Sequence, residues 1–107
     1  MVSLEASELC REVAPQVLKT MLAHALPRTA EARQVIFRQG EPADGMYVVA
    51  EGRVTLRCRL WGRPPQEIAP CDPGQSFGET DLPPARTRLF TAVTETATQL
   101  YHLPPAL

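Results

Sequence analysis

A mainly β fold, an antiparallel β-barrel or jelly roll preceded by one or two N-terminal helices, is the class this sequence predicts. Three observations carry it. The apolar period falls from about 3.6 residues to 2 after Pro27. Short strand candidates then recur at intervals of about 8–12 residues with turn signals between them. Eleven prolines in 107 residues, placed mostly at turns, suit a loop-rich β body. The chain divides into a helical segment at 1–27 and a barrel core at 28–107.

The helical segment runs from Leu4 to Ala25. Leu9, Val13, Val17, Leu18, Met21 and Leu22 recur at three- and four-residue steps and form one apolar stripe. Pro15 interrupts that run by removing a backbone donor. Two helices, the second opening with Pro15 in its first turn, accommodate it; a single kinked helix is the alternative. Pro27 ends the pattern.

Gln34–Phe37 reads as a short strand, and residues 40–45 as a turn with glycine at both ends. Met46–Ala50 is the next strand, closed by Glu51-Gly52 as a tight hairpin signal. From Arg53 to Leu60 the alternation is regular. Val54, Leu56, Cys58 and Leu60 take one face, and Arg53, Thr55, Arg57 and Arg59 the other. That is the pattern of a half-buried antiparallel strand with a solvated basic face. Trp61–Pro65 is a loop in which Trp61 is expected to pack on the barrel. Gln66–Ala69 is a brief strand, Asp72-Pro73-Gly74 a turn, and Thr91–Glu95 and Gln99–His102 the last strands.

Composition excludes more than it identifies. The length fits one domain, which buries roughly two-thirds of its unfolded surface and needs no disulfide or metal to fold. A formal net charge of −1 gives no long-range attraction to nucleic acid or to an acidic membrane. No apolar run approaches the roughly 20 residues of a membrane span, so direct membrane insertion is not expected. Cys10, Cys58 and Cys71 are odd in number and lack metal-ligand spacing, which fits free thiols in a reducing cytoplasm. His24 and His102 are the only histidines. They are too few for the metal cluster of a cupin enzyme, and neither belongs to a Ser–His–acid or Cys–His order. No catalytic residue, metal ligand or cofactor is expected, and the chain reads as a non-enzyme.

The site-like feature is Phe77-Gly78-Glu79, with Arg88 nine positions after the glutamate. A carboxylate accepts a hydroxyl proton, and a guanidinium offers a fork of donors to two phosphate oxygens. A glycine lets backbone approach closely. Such a set can hold a ribose hydroxyl and a phosphate.

Phe37-Arg38-Gln39-Gly40-Glu41, Asp44-Gly45-Met46-Tyr47-Val48-Val49, Glu51-Gly52-Arg53-Val54 and Pro73-Gly74-Gln75-Ser76-Phe77-Gly78-Glu79 stand in an order that resembles a known family. From about Val35 to Leu103 the chain is similar to the cyclic nucleotide-binding domains of the catabolite-activator and protein-kinase-A regulatory type. The resemblance implies a double-stranded β-helix barrel that binds cyclic AMP or cyclic GMP as a regulatory sensor. Its phosphate-binding cassette would comprise Phe77, Gly78, Glu79, Thr80, Arg88, Leu89 and Phe90. Glu79 falls on the ribose ligand and Arg88 on the phosphate ligand. Thr91 and Thr96 also fall on family positions, so the register needs no gap; Arg86 competes if the loop bulges.

Between these residues the cassette departs from the family. Leu82 and Pro83 each precede a proline and are biased away from helix, and Asp81 opposes a phosphate. Leu89 and Phe90 replace small or hydroxyl residues, Phe90 either crowding the pocket or filling the core. Without a ligand, Arg88 is expected to pair with Glu79 or Asp81. Two readings follow: a nucleotide sensor, or a degenerate ligand-free module of the same fold that acts by protein contact. The family's C-terminal lid helices are absent from this sequence, which suggests a domain excised from a larger protein. Its effector would lie in that parent, for example a membrane transporter, at the cytoplasmic face. No helix-turn-helix is present, so no nucleic-acid partner is expected.

Overall fold

A computed structural model of the chain describes residues 1–8, 14–78 and 87–104. A 3-10 turn at Leu4–Ala6 and helix α1 at Pro15–His24 come first. The described strands are β1 Leu26–Ala30, β2 Val35–Phe37, β3 Met46–Glu51, β4 Val54–Cys58, β5 Gln66–Cys71, β6 Ser76–Phe77, β7 Thr91–Thr94 and β8 Thr98–Leu103. They form two four-stranded antiparallel sheets, ordered β1-β8-β3-β6 and β2-β7-β4-β5. This is the predicted jelly roll behind a short helix.

The sheets close on one apolar core. Phe37, Tyr47, Val49, Val54, Cys71, Phe77, Ala92 and Leu100 supply it. Tyr47 and Phe77 stack with ring centroids 5.4 Å apart, and Phe37 tilts against both at 5.8 and 5.9 Å. Such pairs contribute about 0.5–1.5 kcal/mol each beyond their buried area. A smaller cluster lies on the other side of β3, where Leu4 packs on Val48 and Leu103. The N-terminal segment is held there by backbone bonds from Val2 N–H to the Ala50 carbonyl (2.7 Å) and from Glu8 N–H to that of Gly74 (2.9 Å).

The helical segment differs in part from its sequence pattern. Pro15 opens α1 as expected, where its missing N–H breaks no helical bond. Val17 and Leu22 of the apolar stripe are nonetheless exposed, and Leu9 and Val13 lie outside the described residues. Residues 26–30 form strand β1, which the sequence did not announce: four of its five residues are exposed and it contains Pro27. An edge position explains this, because an outer strand can carry proline on its open side.

Glu51-Gly52 is a turn but not a hairpin. β3 pairs with β6 and β8, whereas β4 pairs with β5 and β7, so the turn carries the chain from one sheet to the other. Gly52 is required there: at φ 95° a Cβ would lie 2.6 Å from the Ala97 carbonyl oxygen. Trp61 does not pack on the barrel. The β4–β5 ladder ends at the Cys58–Gln66 pair, the loop projects beyond it, and Trp61 is fully exposed. Cys71 is buried and Cys58 half-buried, both as free thiols, while Cys10 lies outside the described residues. Among the described residues no helix is long and apolar enough to cross a membrane, and no group of side chains could hold a metal ion.

Candidate functional site

The site forms where the end of β6 meets the segment leading into β7. Residues 40–42 run antiparallel to 87–88. Gly40 N–H donates to the Arg88 carbonyl and Arg88 N–H to the Glu41 carbonyl, both at 2.8 Å, and Pro42 bridges Thr87. This pairing directs the Arg88 side chain into the barrel, where none of it is exposed. The guanidinium carbon lies 4.0 Å from the centroid of the Phe37 ring and 5.8 Å from that of Tyr47. Cation–π attraction is strengthened by such desolvation.

Among the described residues, Gly78 and Asp44 accept hydrogen bonds from the fork. Nη1 donates to the Gly78 carbonyl at 3.3 Å, and Nη2 to the Asp44 carboxylate at 2.5 Å. Gly78 has φ 90°, and a Cβ on it would lie 2.7 Å from Nη1. The glycine thus serves both the turn and the seat of the guanidinium. Arginine stays charged when buried, so an anion beside it offsets much of its desolvation. Asp44 supplies that charge from the rim, with its side chain 62% exposed.

Asp44 is itself held in place. Its carbonyl accepts a 2.7 Å hydrogen bond from Nε2 of His102, which fixes the imidazole as the Nε2–H tautomer. The His102 ring stacks on Tyr47 with centroids 4.6 Å apart, and its Nδ1 is buried with no partner among the described residues. Next along, Gly45 presses so closely on β8 that a Cβ would fall 2.1 Å from the Leu103 carbonyl oxygen. Burial, reinforced by the Asp44 charge, raises the Tyr47 phenol above its ordinary pKa of 10.0.

Of the residues read as a site, the structure brings Phe77, Gly78 and Arg88 together. Phe77 is core, Gly78 adjoins the guanidinium, and Arg88 is enclosed. Leu89 is exposed at 44%, and Phe90 is half-buried outside the aromatic core. Glu79 and Thr80 lie outside the described residues, as do Asp81, Pro83, Pro84 and Arg86, so the expected pairing of Arg88 with Glu79 or Asp81 falls there too. Sequence reasoning missed Asp44 and Phe37 as neighbours of Arg88, and His102 as the neighbour of Asp44. Asp44 had one signal, its place before a glycine in a turn. His102 had none, because only the pairing of β8 with β3 brings it to Tyr47.

The Arg88 fork already holds one anion, the Asp44 carboxylate. This arrangement presents a guanidinium fork from inside the barrel, beside a backbone carbonyl, with a solvent-accessible carboxylate on its outer nitrogen. A phosphate entering from the rim would compete with Asp44 for Nη2.

Residues 27–106 match the family model described as cyclic nucleotide-binding domain. The chain is 35% identical over 81 residues to lysophospholipase NTE1 of Kluyveromyces lactis, covering 72% of this chain and 6% of that protein. It is 30% identical over 100 residues to the cyclic AMP receptor protein of Thermus thermophilus, covering 94% of this chain and 46% of the relative. The crystal structure of the Thermus thermophilus catabolite activator protein superimposes with a TM-score of 0.81 at 30% identity, covering 92% of this chain and 46% of that one. The chain spans less than half the length of each of these relatives.

Proposed function

The chain belongs to the cyclic nucleotide-binding domain family, and we propose that it binds cyclic AMP or cyclic GMP at the Gly78–Arg88 corner. The observation that supports this reading most is the buried guanidinium itself. It is pre-oriented by Gly78 and Phe37 and neutralised by a carboxylate that solvent can reach. In the proposal the cyclic phosphate replaces Asp44 on Nη2, Glu79 accepts from the ribose 2′-hydroxyl, and Thr80, Leu89 and Phe90 border the ligand. A carboxylate displaced from the guanidinium is free to move, which gives the module a signal to pass on. The effector belongs to a larger parent protein, a membrane transporter being one candidate, with the module on its cytoplasmic side. Regulation rather than catalysis is the role of the barrel, which spans residues 28–107 behind its helical segment at 1–27.

One observation favours a second reading. Arg88 is wholly enclosed and already carries an anion, as a permanent strut would be. The module would then have lost its ligand and would act through protein contacts. Thermal unfolding with millimolar cyclic AMP or cyclic GMP separates the two. At 100 to 1,000 times Kd the ligand stabilises the fold by about 2.7–4.1 kcal/mol. No shift with either nucleotide, together with no heat of binding in calorimetry, establishes the strut instead.

A further inference from the structure

We propose that the outer face of the β2-β7-β4-β5 sheet is a docking groove for an acidic, extended segment of a partner protein, separate from the nucleotide site. An open groove of about 650 Å³ runs over this face. Its floor is Val35, Val93 and Thr91, and its walls are Arg38, Arg57 and Arg59. Arg57 stands directly across from Thr91, and Val35 across from Val93, so the apolar floor and basic wall are set by strand register. Arg57 in β4 and Arg59, one residue past its end, both line the groove; two positions of extended chain span about 7 Å, the repeat of alternate side chains on an extended peptide. Arg33 extends the positive wall past Val35 into the adjoining hollow.

The rim is built, not loose. The Gln39 amide accepts from Arg59 N–H at 2.8 Å and donates to the Arg59 carbonyl at 3.2 Å, while Gln39 N–H donates to the Thr91 hydroxyl at 2.9 Å. The turn after β2 is thereby clamped to both β4 and β7. Nearby carboxylates are committed elsewhere. Glu41 accepts from Arg38 N–H, and Glu95 accepts from the Thr55 hydroxyl and pairs with Arg53 at 3.7 Å. Glu67 lies across from Arg57 in the ladder, yet no described carboxylate makes an ion pair with Arg33, Arg38, Arg57 or Arg59.

Charge complementarity selects the occupant. The chain as a whole is slightly acidic at −1, so a cluster of arginines with no ion pair among the described residues is a local feature of this face. A strand-like segment alternating carboxylates with apolar side chains would meet the arginines with one set and the valines with the other. The valines are half-buried below the arginines, which favours an inserted peptide over a bilayer surface.

The test uses a fluorescein-labelled peptide alternating glutamate and leucine, titrated with the full chain and read by anisotropy. Saturable binding that weakens with salt is expected. Reversing Arg57→Glu with Arg59→Glu, or Arg38→Glu on a separate element, lowers affinity about tenfold or more. Arg28→Glu, on the other sheet, leaves it unchanged. Circular dichroism verifies that each variant is folded, and Arg38→Glu decides if the double variant is not. The proposal is overturned by absence of saturable binding, by affinity that survives the reversals, or by equal loss in Arg28→Glu. It is also overturned if phosphatidylserine vesicles or a single-stranded oligonucleotide bind more tightly than the peptide with the same dependence on Arg57 and Arg59.

Discussion

Arg88 and Arg57 carry the same guanidinium into opposite surroundings. Arg88 is enclosed in the barrel, stacked on Phe37 and bonded to Gly78 and Asp44. Arg57 stands in water on the outer face of β4 with no described carboxylate in ion-pair contact. Inside, desolvation makes the energy of the charge depend on each of its neighbours. Outside, water screens the charge, and it matters only when a partner of opposite sign excludes that water. One residue type thus yields an anion seat in one region and a latent contact surface in the other.

The sharpest break of this contrast is Arg88→Met. Removing a desolvated donor fork is expected to weaken cyclic nucleotide binding by about 2–5 kcal/mol, measured by calorimetry. Stability should change by no more than about 1 kcal/mol in urea unfolding, because the partner left behind, Asp44, is 62% exposed and keeps its water, so no unpaired charge stays buried. Large destabilisation with unchanged affinity would make Arg88 a strut and nothing more. Gly78→Ala comes next. Its backbone is held at φ 90°, and the new methyl would push on Nη1. A loss of about 1–3 kcal/mol is expected from the backbone strain, with weaker nucleotide binding as the guanidinium shifts. Alanine at Gly62, which also has positive φ but nothing near its missing Cβ, should strain its loop without touching affinity.

A third expectation concerns pH. Burial raises the Tyr47 pKa above 10.0, so the folded state favours the neutral phenol. The stability this contributes is fully present below the unfolded-state value near 10 and is lost as pH rises through the folded-state value. Alkaline denaturation curves should therefore steepen above about pH 10. Tyr47→Phe should flatten that limb while leaving neutral-pH stability nearly unchanged; an unaltered limb would trace the effect to another group.

The legibility of the molecule in its sequence follows the same division. β4, with one face in the core, announced itself through alternation, and β3, covered on both faces, through an unbroken apolar run. β1 did not, since an edge strand with four exposed residues and a proline has no buried face to impose a period. Glu51-Gly52 was readable as a turn, but its sheet-to-sheet role depends on pairings made by distant residues. The same holds for the site. Gly78 and Arg88 stood out by type and spacing, whereas only the fold brings Asp44 to Arg88, 44 residues away along the chain, and His102 to Asp44, 58 residues away. Trp61 invited an assignment to the barrel because of its size, yet its position past the last ladder pair leaves it nothing to pack against.

The smallest expected effect belongs to the outer arginines and completes the contrast. Arg57→Ala should alter stability by less than about 0.5 kcal/mol, since an exposed residue with no ion pair among the described residues loses little when truncated. Arg53→Ala is the useful neighbour, because Arg53, just before the same strand, is paired with Asp72 at 3.2 Å and with Glu95 at 3.7 Å. Its truncation should cost slightly more at low salt and converge on the Arg57 value as salt screens the pairs. Urea midpoints of both variants at low and high ionic strength provide the measurement. If Arg57→Ala proves the more destabilising and its cost falls with salt, the guanidinium is paired within the fold. The outer face would then be a structural surface with no charge to spare for a partner.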